Sequence, residues 1–369
     1  MGKKMKLYDK QNIADFSANN KKSKFLQTLV QNGLDFYIDN CNANIAILEY
    51  DNLYFPLVIA TNNRNQTYLT SLISSYIDYP KHIIKNHTIN ILFNFFSKIL
   101  SIGSIDKVVY VNHWLISTNI HYDLSDKQIN EITKFLKQNF SDYAICFRNV
   151  AKETNVALFS SLASNKYKFL VNRCSYYIDN NSFENVYKKQ SLKKDLSLYK
   201  KDKYIISDSV ANSSVQKQLY NNLYINKYTD INPKYNENFF NILTNNSFKN
   251  YALINKQDKI VGFYIPFVLN NTVSVPWFGY DTSVTQKEGL YRLLMLNIIE
   301  FAKYNNLNLN LSSGVGEYKQ RRGAKPYWEY LAIDYSHLNI FRKFLYFLLI
   351  EITNKISFPL AKLFNIKFF

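Results

Sequence analysis

From Leu307 to Asp334 the chain reads LNLNLSSGVGEYKQRRGAKPYWEYLAID. It starts as a strand and breaks into Ser312-Ser-Gly-Val-Gly316. A cationic cluster of Lys319, Arg321, Arg322 and Lys325 follows around Gly323, and an aromatic-rich second strand closes the stretch. Gly314 and Gly316 permit backbone conformations that other residues disfavour, and they leave room for a ligand near the main chain. Clustered cations suit a phosphate, a carboxylate or nucleic acid. No other part of the sequence joins backbone freedom and charge so closely.

A chain of 369 residues exceeds one ordinary core, so two domains are expected. Hydrophobic content of 47% argues for a folded protein and against disorder. The formal charge of +17 attracts nucleic acid, anionic lipid or acidic small molecules, although abundant Asn, Lys, Ile and Tyr equally fit an AT-rich coding bias. Cys41, Cys146 and Cys174 are widely spaced, with no CxxC pair and no zinc-type spacing, so no metal is expected. That usage suits a reduced, cytoplasmic protein. The basic N-terminus lacks the apolar core of a signal peptide, and no apolar run approaches the roughly 20 residues that span a bilayer.

In the first half, the spacing predicts a hairpin from Asn44–Tyr50 and Tyr54–Thr61 across Asp51-Asn52. It also predicts strands at 69–76, 107–111, 143–147 and 168–178. His87–Leu100 has helical spacing, and Ser125 with Gln128 forms a capping box for a helix to Asn139. His113 and His121 read as surface or loop histidines, since no carboxylate or Cys sits at ligand spacing.

In the second half, Ser182 is expected to cap one helix from Phe183 to Lys203. Seven lysines between Lys188 and Lys203 make either a solvated face or a phosphate or nucleic-acid track. Helical patterns at 216–228 and 236–245 precede strands at 251–255, 259–269 and 272–280, the last two joined at Asn270-Asn271. A helix over 287–304 and a strand over 306–311 lead into the opening stretch. Residues 44–112 and 250–312 share a coarse order of hairpin, strand, helix and strand, which reads as two related units.

Trp277-Phe-Gly-Tyr-Asp281, the helix opened by Gly289-Leu-Tyr-Arg292, and Ser312-Ser-Gly-Val-Gly-Glu-Tyr-Lys-Gln-Arg-Arg-Gly-Ala324 carry a resemblance. With strands and helix in this order, the second half resembles the GNAT acyltransferase superfamily, in the group of BioF-like acetyltransferases and Fem-type aminoacyltransferases. The likeness covers about residues 180–335, and the first half is similar to the degenerate second unit such proteins often carry. It implies an α/β (α+β) fold of two GNAT-like units, each a mixed, mostly antiparallel sheet flanked by helices. The expected segments are 1–179, 180–337 and an amphipathic helical tail over 338–369.

The resemblance implies an acyltransferase in which an amine attacks a thioester or ester carbonyl. Its acyl donor would be acyl-CoA or an acyl-carrier protein, with aminoacyl-tRNA as the alternative and no DNA partner. A non-catalytic GNAT-fold binding module is a further alternative. Classical members hold the CoA pyrophosphate at a Q/R-x-x-G-x-G/A turn, where helix-start N–H groups meet the phosphates. Gln286 and Gly289 match that turn, and Tyr291 replaces its last small residue. Donor contacts would come from Gln286, Gly289, Gly314, Gly316, Lys319, Arg321 and Arg322. Glu317 is the candidate base, or else an ion-pair partner of Lys319 or Arg321. Tyr280 and Tyr318 are candidate acids, or else packing residues; Trp277 and Trp328 suit a core or an acceptor pocket.

From Phe341 the chain reads FRKFLYFLLIEITNKISFPLAKLFNIKFF, apolar at helical spacing with Lys and Arg outnumbering Glu351. A basic amphipathic terminus can lie at an anionic membrane surface, here the inner membrane face, or else pack on the second domain or make a dimer contact.

Overall fold

A computed structural model describes residues 5–62, 66–84, 86–201, 203–208 and 212–363. In chain order its first elements are β1 (Lys6–Tyr8), α1 (Lys21–Asn32), β2 (Ala43–Tyr50), β3 (Leu53–Ala60), α2 (Tyr79–Ile83) and α3 (His87–Ile102). Then come β4 (Val108–Val111), α4 (Asp126–Asn139), β5 (Ala144–Ala151), α5 (Val156–Ser164), β6 (Lys168–Ile178), α6 (Phe183–Lys188) and α7 (Gln190–Tyr199). They are followed by β7 (Tyr204–Ser207), α8 (Ser213–Tyr220), α9 (Glu237–Asn245), β8 (Tyr251–Asn255), β9 (Ile260–Leu269) and β10 (Thr272–Tyr280). The last are α10 (Leu290–Tyr304), β11 (Asn308–Asn310), α11 (Gly316–Arg321), β12 (Lys325–Asp334), α12 (Ile340–Ile352) and α13 (Phe358–Leu363).

The chain divides into two compact units: unit 1 holds 1–173, 231–234 and 328–369, and unit 2 holds 174–230 and 235–327. The boundary expected at 179 thus lies at Arg173, within β6, and the tail clusters with unit 1. A second crossing falls inside β12, between Tyr327 and Trp328.

Unit 1 has strand order β1-β2-β3-β4-β5-β12. The β2–β3 hairpin forms where Asp51 and Asn52 take left-handed backbone, the conformation a tight two-residue hairpin needs. β4 pairs antiparallel with β3 and parallel with β5, and α4 makes the crossover. Ser125 and Gln128 form the expected reciprocal cap at the start of α4. The core packs Leu48, Phe55, Ile132, Leu136 and Phe147.

Unit 2 has order β6-β11-β10-β9-β8-β7. β7 to β10 run antiparallel, Asn270 and Asn271 again turn in left-handed backbone, and β10 pairs parallel with β11 after the α10 crossover. The core packs Leu253, Val273, Leu294, Ile298 and Leu309.

Each unit therefore has an antiparallel strand run, a helix and a strand parallel to the last of that run. The equivalence differs from the expected pairing of 44–112 with 250–312. α4 corresponds to α10 and β5 to β11, while β4 ends the antiparallel run as β10 does. The segment expected as a strand at 69–76 is instead a turn that becomes helical from Leu72. The buried Asp106 accepts from Leu72 N at 2.7 Å, Ile73 N at 3.1 Å and Ser71 Oγ at 2.7 Å, satisfying the free donors of a helix start. The helix expected over Phe183–Lys203 is two, broken at the extended Lys189, and Ser182 makes no side-chain cap.

His113 and His121 are buried rather than superficial. They belong to the loop after β4, whose His113 N donates to Pro56 O of β3 at 3.0 Å. On the other side His121 Nε2 meets Arg148 O of β5 at 2.5 Å, and Asn119 N donates to Asn149 Oδ1 at 3.1 Å. The loop thereby fills the space opened where β4 and β5 stop pairing after Tyr110 and Cys146. The start of α4 is capped by its own side chains as well.

Candidate functional site

In unit 2 the corresponding strands part early. β10 pairs with β11 only through Thr272, Val273 and Ser274, opposite Asn308, Leu309 and Asn310. Beyond Asn310 the chain stays with β6: Leu311 N donates to Tyr176 O at 2.8 Å, and Tyr176 N donates to Ser312 O at 3.2 Å. β10 runs on beside β9 with a register shift between Ser274 and Trp277. The two parallel strands therefore part, and the later half of β10 has no ladder partner on its β11 side among the described residues.

The glycine loop borders this parting. Ser312, Gly314 and Val315 all take left-handed backbone, which is costly for Val315, so something must hold it. Lys319 does. It is buried, and its Nζ donates to the carbonyls of Leu311 at 2.7 Å, Ser312 at 3.2 Å and Ser313 at 2.6 Å. Gly316 is required for space, since a Cβ there would overlap the Tyr176 hydroxyl. Gly314 faces open space and needs its glycine for φ alone.

The charges of Lys319, Arg321 and Arg322, expected to meet an anionic ligand, have partners within the protein. Arg322 is buried; its Nε donates to Asp195 Oδ2 at 2.5 Å, and its guanidinium lies 3.4 Å from the centre of the Tyr318 ring. Asp195, fully buried on α7, also accepts from Arg292 Nε at 2.5 Å. Lys319 spends its charge on carbonyls. Arg321 and Glu317 are exposed and pair with each other one turn apart on α11. Sequence reasoning did not single out Asp195. Its signal is a lone acid among the lysines of α7, three residues after the buried Leu192, on the face that turns inward.

Tyr280, at the end of β10, and Tyr318, on α11, are joined through Tyr291. The Tyr280 and Tyr291 rings are 6.1 Å apart, and those of Tyr291 and Tyr318 are 4.9 Å apart. Burial, with nearby Tyr228, pushes the Tyr280 hydroxyl pKa up. Burial, with Asp195 next, raises that of Tyr318. Burial likewise holds Tyr291 protonated.

The turn from Gln286 to Gly289, where the resemblance would put the donor's pyrophosphate, is crowded. Gly289 is left-handed and precedes α10, which has no side-chain cap. Its open side is occupied, because a Cβ there would overlap Leu198 Cδ2. Tyr291 fills the first turn of α10 with a ring against Phe278. Gln286 stays exposed in a short helical turn. Trp277 is buried among Phe239, Phe248 and Phe267, and Trp328 packs on Phe358 of α13.

Comparison with known proteins places similar structures beside this one. FemX is similar at TM-score 0.49 and 8% identity, over 83% of this chain and 90% of FemX. L-PGS from Bacillus licheniformis gives TM-score 0.43 and 14% identity, over 61% and 78%. A GCN5-related N-acetyltransferase from Kribbella flavida gives 0.34 and 9%, over 62% and 83%. No family model and no curated sequence matches the chain. The strand order, the parallel crossovers and the parting after Ser274 are features of this chain itself, which is α/β with two units, each an antiparallel strand run, a crossover helix and a strand parallel to the last of that run.

Proposed function

We propose that unit 2 transfers an acyl group from an activated donor to an amine, with the reacting carbonyl lodged where β10 and β11 part. The parting after Ser274 carries this reading, since it leaves the later half of β10 without a β11 ladder partner beside a rigidly braced glycine loop. Unpaired backbone N–H groups there suit the oxyanion of a tetrahedral intermediate. The amine nitrogen bonds to the carbonyl carbon, and the donor's ester or thioester bond breaks. Holding the two reactants together lowers such a barrier by roughly 7–11 kcal/mol at best. In this reading Glu317, exposed and paired with Arg321, accepts the amine proton. The Tyr280 hydroxyl, protonated through burial, returns one to the leaving group.

For the donor, the crowded turn at Gly289 and Tyr291 disfavours acyl-CoA in the usual groove, and all seven lysines between Lys188 and Lys203 are exposed. Both features favour aminoacyl-tRNA, whose backbone those lysines would follow. The test supplies purified full-length protein with amine acceptors and either labelled acetyl-CoA or a labelled mixture of aminoacyl-tRNAs. Transfer from the tRNA pool alone supports the reading, transfer from acetyl-CoA alone reverses the donor, and no transfer from either, with a ligand copurifying, favours a binding module.

A further inference from the structure

Two helical segments of unit 1 leave large apolar side chains uncovered. α3 is a 16-residue helix whose only fully buried residue is Leu100. Along it Leu92 is 64% exposed, Phe95 63% and Ile102 77%. On α12, α13 and the helical turn that joins them (Thr353–Ser357) a second row is uncovered, including Ile340, Phe344 (56% exposed), Phe347, Ile356 and Leu363. The two rows belong to neighbouring helices. Gly103, which ends α3, lies against Leu345 of α12, and Arg342 donates to Ser104 O at 3.0 Å.

Uncovered area of this kind marks an interaction site. Its surroundings indicate the occupant. Lys81, His82, His87 and Lys98 accompany the first row, and Lys343, Lys355 and Lys362 the second. Between residues 79 and 102 there is no acid, and between 340 and 363 there is only Glu351. Apolar rows with a cationic rim match an anionic bilayer, where phenyl and aliphatic groups enter the acyl boundary and lysines stay among headgroups.

By length and composition the run Ile340–Leu363 is long and apolar enough to cross a membrane, contrary to the expectation from sequence. Its inner face is committed to the protein, however. Tyr346 donates to Ile105 O at 2.7 Å, Arg342 pairs with Asp142 at 2.8 Å, and Leu345 and Leu349 are buried. A helix tied down along one face lies on a surface instead of threading through it.

We propose that α3 together with α12 and α13 forms a platform that docks unit 1 on an anionic lipid bilayer. This is independent of the acyl-transfer reading, which rests on unit 2. The test floats the full-length protein with vesicles of phosphatidylcholine alone and of phosphatidylcholine with phosphatidylglycerol. Wild type should float with the mixed vesicles and lose most of that binding in high salt. The variant Leu92→Glu/Phe95→Glu/Phe344→Glu/Phe347→Glu should lose it about tenfold or more while its melting temperature holds, since all four side chains face solvent. Equal binding by wild type and variant would overturn the proposal. So would failure to bind either vesicle, or a wild-type dimer that the same substitutions dissociate, which would assign the face to a second copy of the chain.

Discussion

Arg322 donates through Nε to the buried Asp195 at 2.5 Å, and that one carboxylate also holds Arg292. α7, α10 and α11 are thus joined through a single acid. Removing one partner of a buried ion pair strands the other, at about 3–5 kcal/mol. Asp195→Ala should lower stability by that order, read as a lower urea midpoint. Asp195→Asn, which keeps a hydrogen-bonding oxygen, should cost less; equal losses for the two would remove charge from the explanation.

Lys319 braces the glycine loop by three carbonyls. Lys319→Met keeps the stem and deletes the donors, leaving buried acceptors unmet at about 1–3 kcal/mol. The expected result is faster amide exchange across 311–316 together with reduced acyl transfer. Unchanged exchange there would show that the loop holds its shape without the lysine.

Gly316 meets the Tyr176 hydroxyl where a side chain would stand. Gly316→Ala should cost about 1–3 kcal/mol through overpacking. Adding Tyr176→Phe should recover part of the loss, because the nearest atom is gone. A double-mutant cycle reads this coupling, and strict additivity would contradict the contact.

His113 and His121 are held neutral, burial pushing their pKa values down to about 3 and about 4. An unfolded histidine titrates near 6.5, so as pH falls the unfolded chain takes up protons first. Their contribution is full above about pH 6.5 and is lost as pH falls toward 4. Asp106 acts in the opposite sense. Burial raises it to about 6, so its protonated folded form loses stability as pH climbs from about 4 to 6. Two histidines outweigh one carboxyl, and net stability should drop from about pH 6.5 to about pH 4.5. His113→Gln should flatten that slope in urea titrations; parallel slopes for variant and wild type would exclude the histidine as its source.

Glu317→Gln tests the proposed base. Loss of a general base lowers turnover about 10²–10⁴-fold, whereas loss of its exposed pair with Arg321 costs at most about 1 kcal/mol. The expected outcome is a large fall in transfer with an unchanged melting temperature. Undiminished transfer would leave Glu317 as the ion-pair partner of Arg321 alone.

Local patterns carried much of the fold into the sequence. Asp51-Asn52 and Asn270-Asn271 mark tight hairpins because their short polar side chains tolerate left-handed backbone. Ser125 with Gln128 marks a helix start, and strand β6 spans the same residues, Lys168–Ile178, as its pattern indicates. The glycine break after β11 and the aromatic strand behind it are legible for the same reason, since each depends on neighbours a few residues away. Tertiary structure decided what depends on distant partners. Residues 69–76 have an apolar run that fits a strand, yet Asp106, more than thirty residues on, supplies the cap that makes them helical from Leu72. Lys319 and Arg322 look like free ligand cations until the fold brings carbonyls and Asp195 to them. Gly289 looks like a phosphate turn until Leu198 occupies its open side. Burial makes an unpaired charge or an empty space costly, so the fold meets each with whatever side chain it brings near, and linear spacing carries no record of that partner.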